Sequence, residues 1–221
     1  MNTTELVSLL DGTFERLSKS KEELCELDSA TGDGDLGITI AAGARAARAG
    51  LAGLDERATP AELLRTVGDA FANANPSTMG ALLGAALRTA ARTLDGERSM
   101  GRAQALLLAR AAAESIATKG KCAVGDKTIL DALVPSVDAL RDAGDDSATA
   151  LTEMVRAARD AIERTTSAVP RKGRAAWVGQ RGVGHPDPGA TAYLRLLESI
   201  AEEWRRAAAL PGAHRRGDSD D

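Results

Sequence analysis

Apolar residues recur at helical spacing along most of this chain of 221 residues. Residues three and four positions apart share one face of a helix, so the spacing predicts helices that each bury one apolar face. No segment alternates apolar and polar residues in the way that is typical of a half-buried strand. The sequence therefore predicts an all-α fold, with helices near residues 3–24, 36–50, 60–73, 78–94, 100–117, 127–143, 147–168 and 188–208.

The composition also favours closely packed helices. The chain has only two Phe, two Trp and one Tyr, which is few for a β-sandwich. The length fits one domain, which we place at residues 1–210. Residues 211–221 are polar and lack apolar anchors, so we expect a disordered tail there. Inside one predicted helix, Pro135 predicts a kink or an early break.

The charge pattern excludes several classes of partner. The chain carries 28 basic and 32 acidic residues, with a formal net charge of -4, and no basic stripe indicates nucleic-acid binding. No apolar run is long enough to span a bilayer, and no secretory signal precedes the first helix. We therefore expect a cytoplasmic protein that binds neither nucleic acid nor membrane. The two cysteines lack metal-site spacing, and we assign them no chemistry.

Four glycine-containing loops each lead into a predicted helix. We name them loops A to D: TGDGDLG at 31–37, NPSTMG at 75–80, GKCAVGDKT at 120–128 and GHPDPGAT at 184–191. They precede the second, fourth, sixth and eighth predicted helices, whose N-termini lie at the same end of an up-and-down antiparallel bundle. Helix N-termini present unpaired N–H groups and favour anions. The order predicts one nucleotide site at one rim.

Loop A and the turn before it carry three carboxylates, Asp28, Asp33 and Asp35. Gly32 and Gly34 interrupt the helix, so the loop must fold back to bring the carboxylates together. Hard oxygen ligands of this kind suit Mg²⁺, and Asp35 can also cap the next helix. An EF-hand is excluded, because its required ligands and glycine are missing. Taken alone, the loop remains open to a second interpretation as a solvated acidic turn.

Loops B and C have a weaker signal. Ser77 and Thr78 can cap the following helix or bind an anion, and capping is the simpler interpretation for this loop alone. In loop C, the residues Gly120, Gly125, Asp126, Lys127 and Thr128 combine a flexible backbone with a cation, Lys127, and a possible cap, Thr128. Its spacing matches neither a Walker A loop nor a Rossmann fingerprint.

Loop D contains a typical helix start. Asp187 is a favoured N-cap and Pro188 a favoured first helical residue, so ordinary helix initiation explains half of the motif. Upstream, Arg174 can deliver a guanidinium to a phosphate. The chain has only two histidines, which disfavours a Ser-His-Asp triad or a histidine-rich zinc site. The carboxylates instead favour metal-assisted phosphoryl transfer, which leaves a kinase or a phosphate hydrolase.

Taken together, the motifs resemble the nucleotide-binding L subunit of dihydroxyacetone kinase. The resemblance rests on LDSATGDGDLG, STMGALLG, GKCAVGDKTILDAL and GRAAWVGQRGVGHPDPGAT, which occur in the family's order over residues 28–191. It implies a closed antiparallel barrel of eight helices with ADP or ATP and two Mg²⁺ ions at one rim. It also implies that the chain is a phosphotransferase.

The resemblance assigns roles to individual residues. Asp28, Asp33 and Asp35 match the Mg²⁺ ligands and, with Arg174, form the implied catalytic set. The implied nucleotide contacts are Leu36, Gly37, Ile38, Thr39, Ser77, Thr78, Met79, Gly120, Ile129, Arg174, Asp187, Pro188 and Gly189. Met79 and Ile129 would cover the base.

The sequence departs from the family at two places. Leu36 replaces the usual histidine after GDGD, and NPSTMG replaces a glycine-rich segment, so we expect a divergent branch that uses a short keto sugar such as a tetrulose. The resemblance implies a separate K subunit that holds the sugar, and a donor that is either free ATP or bound ADP recharged by a phosphohistidine carrier. A homodimer is also compatible. The alternatives are a regulatory module that senses Mg-nucleotide and binds a transcription factor, and a helical phosphohydrolase.

Overall fold

The all-α prediction is confirmed. A computed structural model describes residues 1–209, in which no strand occurs, and the predicted tail at 211–221 lies outside the described residues. The α-helices are α1 (Thr3–Ser18), α2 (Lys21–Thr31), α3 (Leu36–Ala52), α4 (Pro60–Asn73), α5 (Thr78–Ala91), α6 (Arg102–Gly120), α7 (Ile129–Asp142), α8 (Ser147–Thr166), α9 (Ala175–Val178) and α10 (Pro188–Ala209). Short 3₁₀ helices follow α5 at Arg92–Leu94 and α9 at Gly179–Gly182.

The first predicted helix is in fact two helices. The backbone N–H groups of Lys19 and Ser20 donate hydrogen bonds to carbonyls in the last turn of α1, and that helix ends there. Helix α2 then continues to Thr31, beyond the predicted end at residue 24. Gly32 ends α2 in an extended conformation. Asp28 therefore lies on the last turn of a helix instead of in a loop.

The helices form a closed ring. Each main helix packs against the next one along the chain, from α3 to α8, and α1 packs against α3. Helix α10 packs against α8 on one side and α1 on the other, which closes the ring. The short connections reverse the chain direction each time, as in other antiparallel bundles. The ring thus has two rims, and the N-termini of α3, α5, α7 and α10 lie at one of them.

Small residues allow the helices to approach closely. A Cβ atom at Gly84 of α5 would lie 2.5 Å from the carbonyl oxygen of Gly68 in α4, so only glycine fits at this crossing. The ring encloses an apolar cavity of about 230 Å³, lined by residues such as Phe14, Leu64 and Leu133. The interior is therefore not completely filled by side chains.

Two features complete the fold. Helix α7 continues through Pro135 to Asp142, so of the two outcomes predicted for Pro135, a kink or an early break, the break does not occur. At the rim away from loops A to D, Arg102 donates hydrogen bonds to the carbonyls that end α7, including Leu140 at 2.7 Å and Gly144 at 2.6 Å. Within residues 1–209, none of the helices combines the length and the apolar character needed to cross a bilayer.

Candidate functional site

Loops A to D converge on one cavity. The cavity has a volume of about 240 Å³, and residues from all four loops line it. The four loops therefore meet at one rim, as their order along the chain predicted. The segment 172–175, which precedes loop D, forms a further part of the wall.

The three carboxylates of the first motif form a cluster at this cavity. Asp28, Asp33 and Asp35 each place one carboxylate oxygen within 4.8 Å of the others. The Asp28 carboxylate also accepts a hydrogen bond from the backbone N–H of Leu36 at 3.2 Å, which fixes it at the start of α3. Asp35 makes no side-chain cap bond, contrary to the capping role predicted for it. Three clustered carboxylates fit a hard divalent cation such as Mg²⁺.

Arg174 lies beside the carboxylate cluster. Its guanidinium forms an ion pair with Asp33, and about half of each side chain is exposed. Arg174 precedes the short helix α9, on a segment that the periodicity did not predict to be helical. A guanidinium beside the carboxylates adds a cation where phosphate oxygens could bind.

Loops B and C supply the apolar wall. Ser77 caps α5 by accepting a hydrogen bond from the N–H of Gly80 at 2.9 Å, so the capping interpretation is confirmed for this residue. Met79, at the start of α5, and Ile129, at the start of α7, both line the cavity, as do Thr78 and Gly120. The cavity therefore has an apolar side and a charged side.

Asp131 organises loop C. Its carboxylate accepts hydrogen bonds from the N–H groups of Gly125 at 2.6 Å and Thr128 at 2.7 Å, which completes a capping box at the start of α7. Gly125 has a φ of +96°, a conformation that favours glycine. Lys127, noted in the sequence as a cation, is buried and does not line the cavity.

Asp187 begins α10 at the edge of the cavity. Its carboxylate accepts a hydrogen bond from the N–H of Ala190 at 2.7 Å, in agreement with the predicted cap. Burial raises the pKa of Asp187 to about 7, and the nearby negative charge of Asp131 adds to that rise. Pro188 and Gly189 also line the cavity. The carboxyl group can therefore gain or lose a proton near neutral pH.

Three of the predicted nucleotide contacts lie outside the cavity wall. Gly37 lies at the contact between α2 and α3. A Cβ atom at this position would collide with the backbone of Lys21. The side chain of Ile38 is largely exposed to solvent away from the wall. Thr39 is buried and accepts a hydrogen bond from Asn75 at 2.9 Å. Of the four predicted contacts at the start of α3, only Leu36 lines the cavity.

The structure adds wall residues that the motifs did not reveal. Leu82 follows Met79 by three positions, and Ile116 precedes Gly120 by four, so each shares a helix face with a predicted contact. That spacing could have identified them from the sequence. Thr31 and Lys172 also line the cavity. The hydroxyl of Thr31 is buried without a hydrogen-bond partner in the described part of the chain.

This arrangement can bind a metal-phosphate group beside an apolar surface. Carboxylates hold a divalent cation, a guanidinium and helix N-termini attract phosphate oxygens, and the apolar wall accepts a base or another flat group. The geometry favours nucleotide binding.

Known proteins share both this sequence pattern and this fold. The DAK2 domain family matches residues 30–202. The chain is 37% identical over 204 residues to L-erythrulose 1-kinase from Mycolicibacterium smegmatis, covering 91% of this chain and 36% of that protein. It is 28% identical over 204 residues to the ADP-binding subunit DhaL of the PEP-dependent dihydroxyacetone kinase from Escherichia coli, covering 91% of this chain and 97% of that subunit.

A solved structure agrees with the same grouping. The dihydroxyacetone kinase of C. freundii in complex with AMP-PNP and Mg²⁺ matches with a TM-score of 0.72 and 25% identity, over 89% of this chain and 33% of that chain. The chain thus spans about a third of L-erythrulose 1-kinase and of the C. freundii kinase, and nearly all of the E. coli subunit. The match over residues 30–202 and the shared fold establish that this chain belongs to the DAK2 domain family.

Proposed function

We propose that this chain is the nucleotide- and magnesium-binding subunit of a kinase that phosphorylates a short keto sugar. The observation that carries the proposal is the convergence of Asp28, Asp33 and Asp35 with Arg174 at one end of the cavity. Met79 and Ile129 provide the apolar wall near the same place. A phosphate chain and a base need these two environments side by side.

Each part of the site has a distinct task in this proposal. The three aspartates hold Mg²⁺, two ions in the arrangement that the family resemblance implies, and bound Mg²⁺ neutralises charge on the phosphates. Arg174 exchanges its pairing with Asp33 for a phosphate oxygen. Leu36 and Gly120 line the wall between the charged and apolar parts. Asp187, Pro188 and Gly189 border the nucleotide from the start of α10.

The acceptor is a keto sugar held by a second protein. The names of the relatives, L-erythrulose 1-kinase and dihydroxyacetone kinase, support a three- or four-carbon keto sugar. A sugar hydroxyl attacks the terminal phosphorus of ATP, the bond to ADP breaks, and the hydroxyl loses its proton. We place the sugar on a K subunit that docks against loops A to D.

The phosphoryl donor has two possible sources that one experiment separates. The donor is free ATP, or it is ADP that stays bound and is recharged by a phosphohistidine carrier; the PEP-dependent relative from E. coli supports the second source. The chain is incubated with Mg²⁺, L-erythrulose or dihydroxyacetone, and the sugar-binding subunit of a dihydroxyacetone kinase. Either ATP or phosphoenolpyruvate with the carrier proteins is then added, and sugar phosphate is measured.

The outcomes separate the proposal from its alternatives. Sugar phosphate that requires the chain, Mg²⁺ and the sugar-binding subunit is the expected result. Phosphate release without an acceptor would instead indicate a phosphohydrolase. Tight Mg-nucleotide binding with no transfer in either arm would favour the regulatory module that binds a transcription factor. Sedimentation of the same sample tests whether the chain is a homodimer.

A further inference from the structure

Lys127 is a buried cation that forms hydrogen bonds with distant parts of the chain. Its side chain is only 2% exposed. The ammonium donates three hydrogen bonds to backbone carbonyl oxygens, to Thr166 at 2.8 Å, Ala168 at 3.0 Å and Gly182 at 2.9 Å. These bonds use all three donors of the ammonium group.

Backbone carbonyls offset part of the cost of burying the Lys127 charge, and no carboxylate within residues 1–209 bonds to it directly. Thr166 is the last residue of α8, where exposed carbonyls carry the negative end of the helix dipole. Asp187 attracts the ammonium at longer range, although burial lowers the pKa of Lys127 below its usual value. Lys127 also has a φ of +61°, which is costly for a side chain with a Cβ atom. A buried, strained lysine of this kind needs an explanation.

The three bonds of Lys127 close a segment of chain that carries Arg174. We name residues 169–181 the arginine segment. Lys127 holds it from both sides, at Ala168 and at Gly182. The neighbouring residue in loop C adds another bond, because the carbonyl of Asp126 accepts the N–H of Arg171 at 2.9 Å.

Most of the arginine segment is exposed, although Pro170 near its start is buried and the 3₁₀ helix at its end packs against α2. Helix α9 contains no buried residue, and Trp177 is 92% exposed. Gly173 and Gly179 have positive φ angles, so the backbone turns sharply on both sides of α9. Packing of α9 therefore does little to position Arg174, which leaves the bonds at the two ends of the segment and the ion pair with Asp33 to do so.

We propose that Lys127 is a positioning residue for Arg174. By holding both ends of the arginine segment against loop C, Lys127 sets the guanidinium of Arg174 at the carboxylate cluster, where it binds a phosphate of the Mg-nucleotide. The inference rests on the nucleotide site proposed above. The competing explanation is that Lys127 only stabilises the fold and leaves Arg174 unaffected.

A double-mutant cycle in Mg-ADP binding separates these explanations. Titration calorimetry is performed on the wild-type chain, Lys127→Met, Arg174→Ala and the double variant. Loss of a charge-assisted contact typically weakens binding roughly tenfold or more. We expect the affinity for Mg-ADP to fall by about the same factor in each single variant. The double variant should bind no more weakly than either single variant. Wild-type affinity in Lys127→Met, or a double variant that loses the product of the two factors, would overturn the proposal.

The controls distinguish failure of this inference from failure of the nucleotide site. Lys119→Met removes the same charge from an exposed position on α6 and should bind Mg-ADP like the wild type. If the wild type and this control do not bind, the proposed function itself fails. If both bind and the cycle is additive, only the role of Lys127 fails.

Two further measurements cover the case in which Lys127→Met does not fold. Arg171→Pro removes the N–H bonded to Asp126 and keeps Lys127, whereas Arg171→Ala keeps that N–H and serves as its control. Arg171→Pro should also be non-additive with Arg174→Ala, and additivity would contradict the proposal. In a Trp204→Phe background, Trp177 is the remaining tryptophan. Its fluorescence anisotropy should fall when the bonds of Lys127 are removed, or when the bond between Arg171 and Asp126 is removed. Unchanged anisotropy in a folded variant would contradict the mobility that the proposal requires.

Discussion

The guanidinium of Arg174 pairs with the carboxylate of Asp33 across the rim of the helical ring. The two residues are far apart in the sequence, one after α2 and the other before α9. Their pairing joins the acidic cluster to the arginine segment. A metal ion and a phosphate group would compete for these same two side chains, so each becomes a sensitive test of the site.

Removing the guanidinium should weaken nucleotide binding without unfolding the protein. Arg174→Ala should bind Mg-ADP roughly tenfold to a hundredfold more weakly, because a charge-assisted hydrogen bond contributes about 1.5–3 kcal/mol. Its half-exposed side chain supports no core. Arg181→Ala, an exposed arginine nearby that does not line the cavity, is the control. Equal affinities for the two variants, measured by calorimetry, would exclude Arg174 from the phosphate site.

Removing the buried hydroxyl of Thr31 should stabilise the nucleotide-free protein. Its oxygen has no partner within the described residues, and a buried unpaired polar group costs about 1–3 kcal/mol. Thr31→Val keeps the shape and should raise the free energy of unfolding, measured by urea denaturation. Ser115→Ala, which removes the other buried unpaired hydroxyl away from the cavity, should do the same. A less stable Thr31→Val would indicate that a bound water or ion satisfies the hydroxyl.

Stability should fall with rising pH because of Asp187. Its pKa is about 7 in the folded protein, mainly because the group is buried, and about 4 in an unfolded chain. Between these values the folded state holds a proton that the unfolded state has released, so its contribution is present at low pH and is lost as pH rises towards 7. Asp187→Asn should therefore gain stability relative to the wild type between pH 5 and pH 8. The same difference at both pH values would refute the raised pKa.

Arg102 should matter for stability and leave the nucleotide site intact. It joins the start of α6 to the carbonyls at the end of α7, at the rim opposite loops A to D. Arg102→Ala should reduce the free energy of unfolding by about 1–3 kcal/mol, because several charge-assisted bonds are lost. Thermal denaturation and Mg-ADP titration check the two effects separately. A change in affinity at a temperature where the variant is folded would show that the rims are coupled.

Helix positions followed from local signals in the sequence. Periodicity and caps such as Ser77 and Asp187 predicted most helix bounds within a few residues, because capping is a local interaction. The break between α1 and α2 was missed, since no glycine or proline marks Lys19 and Ser20. The short helix α9 was also missed, because it buries no apolar face.

Candidate site residues could be predicted from the sequence where they belong to a local motif. They could not be predicted where their role depends on contacts between distant parts of the chain. The carboxylates of loop A were identified by residue type and spacing. The role of Lys127 was missed, because nothing local reveals that its partners are carbonyls far along the chain. Gly37 was predicted to contact nucleotide, although the structure explains it by the close approach of α2 and α3.

The most direct test of the account is titration of ADP into the nucleotide-free chain, with and without Mg²⁺, repeated on Asp33→Asn. Asn keeps the shape of Asp33 and removes the charge that a metal requires. We predict tight binding to the wild type that depends on Mg²⁺ and is lost in the variant. No binding to the wild type, or Mg²⁺-dependent binding of equal strength in Asp33→Asn, would contradict a nucleotide site built on these carboxylates.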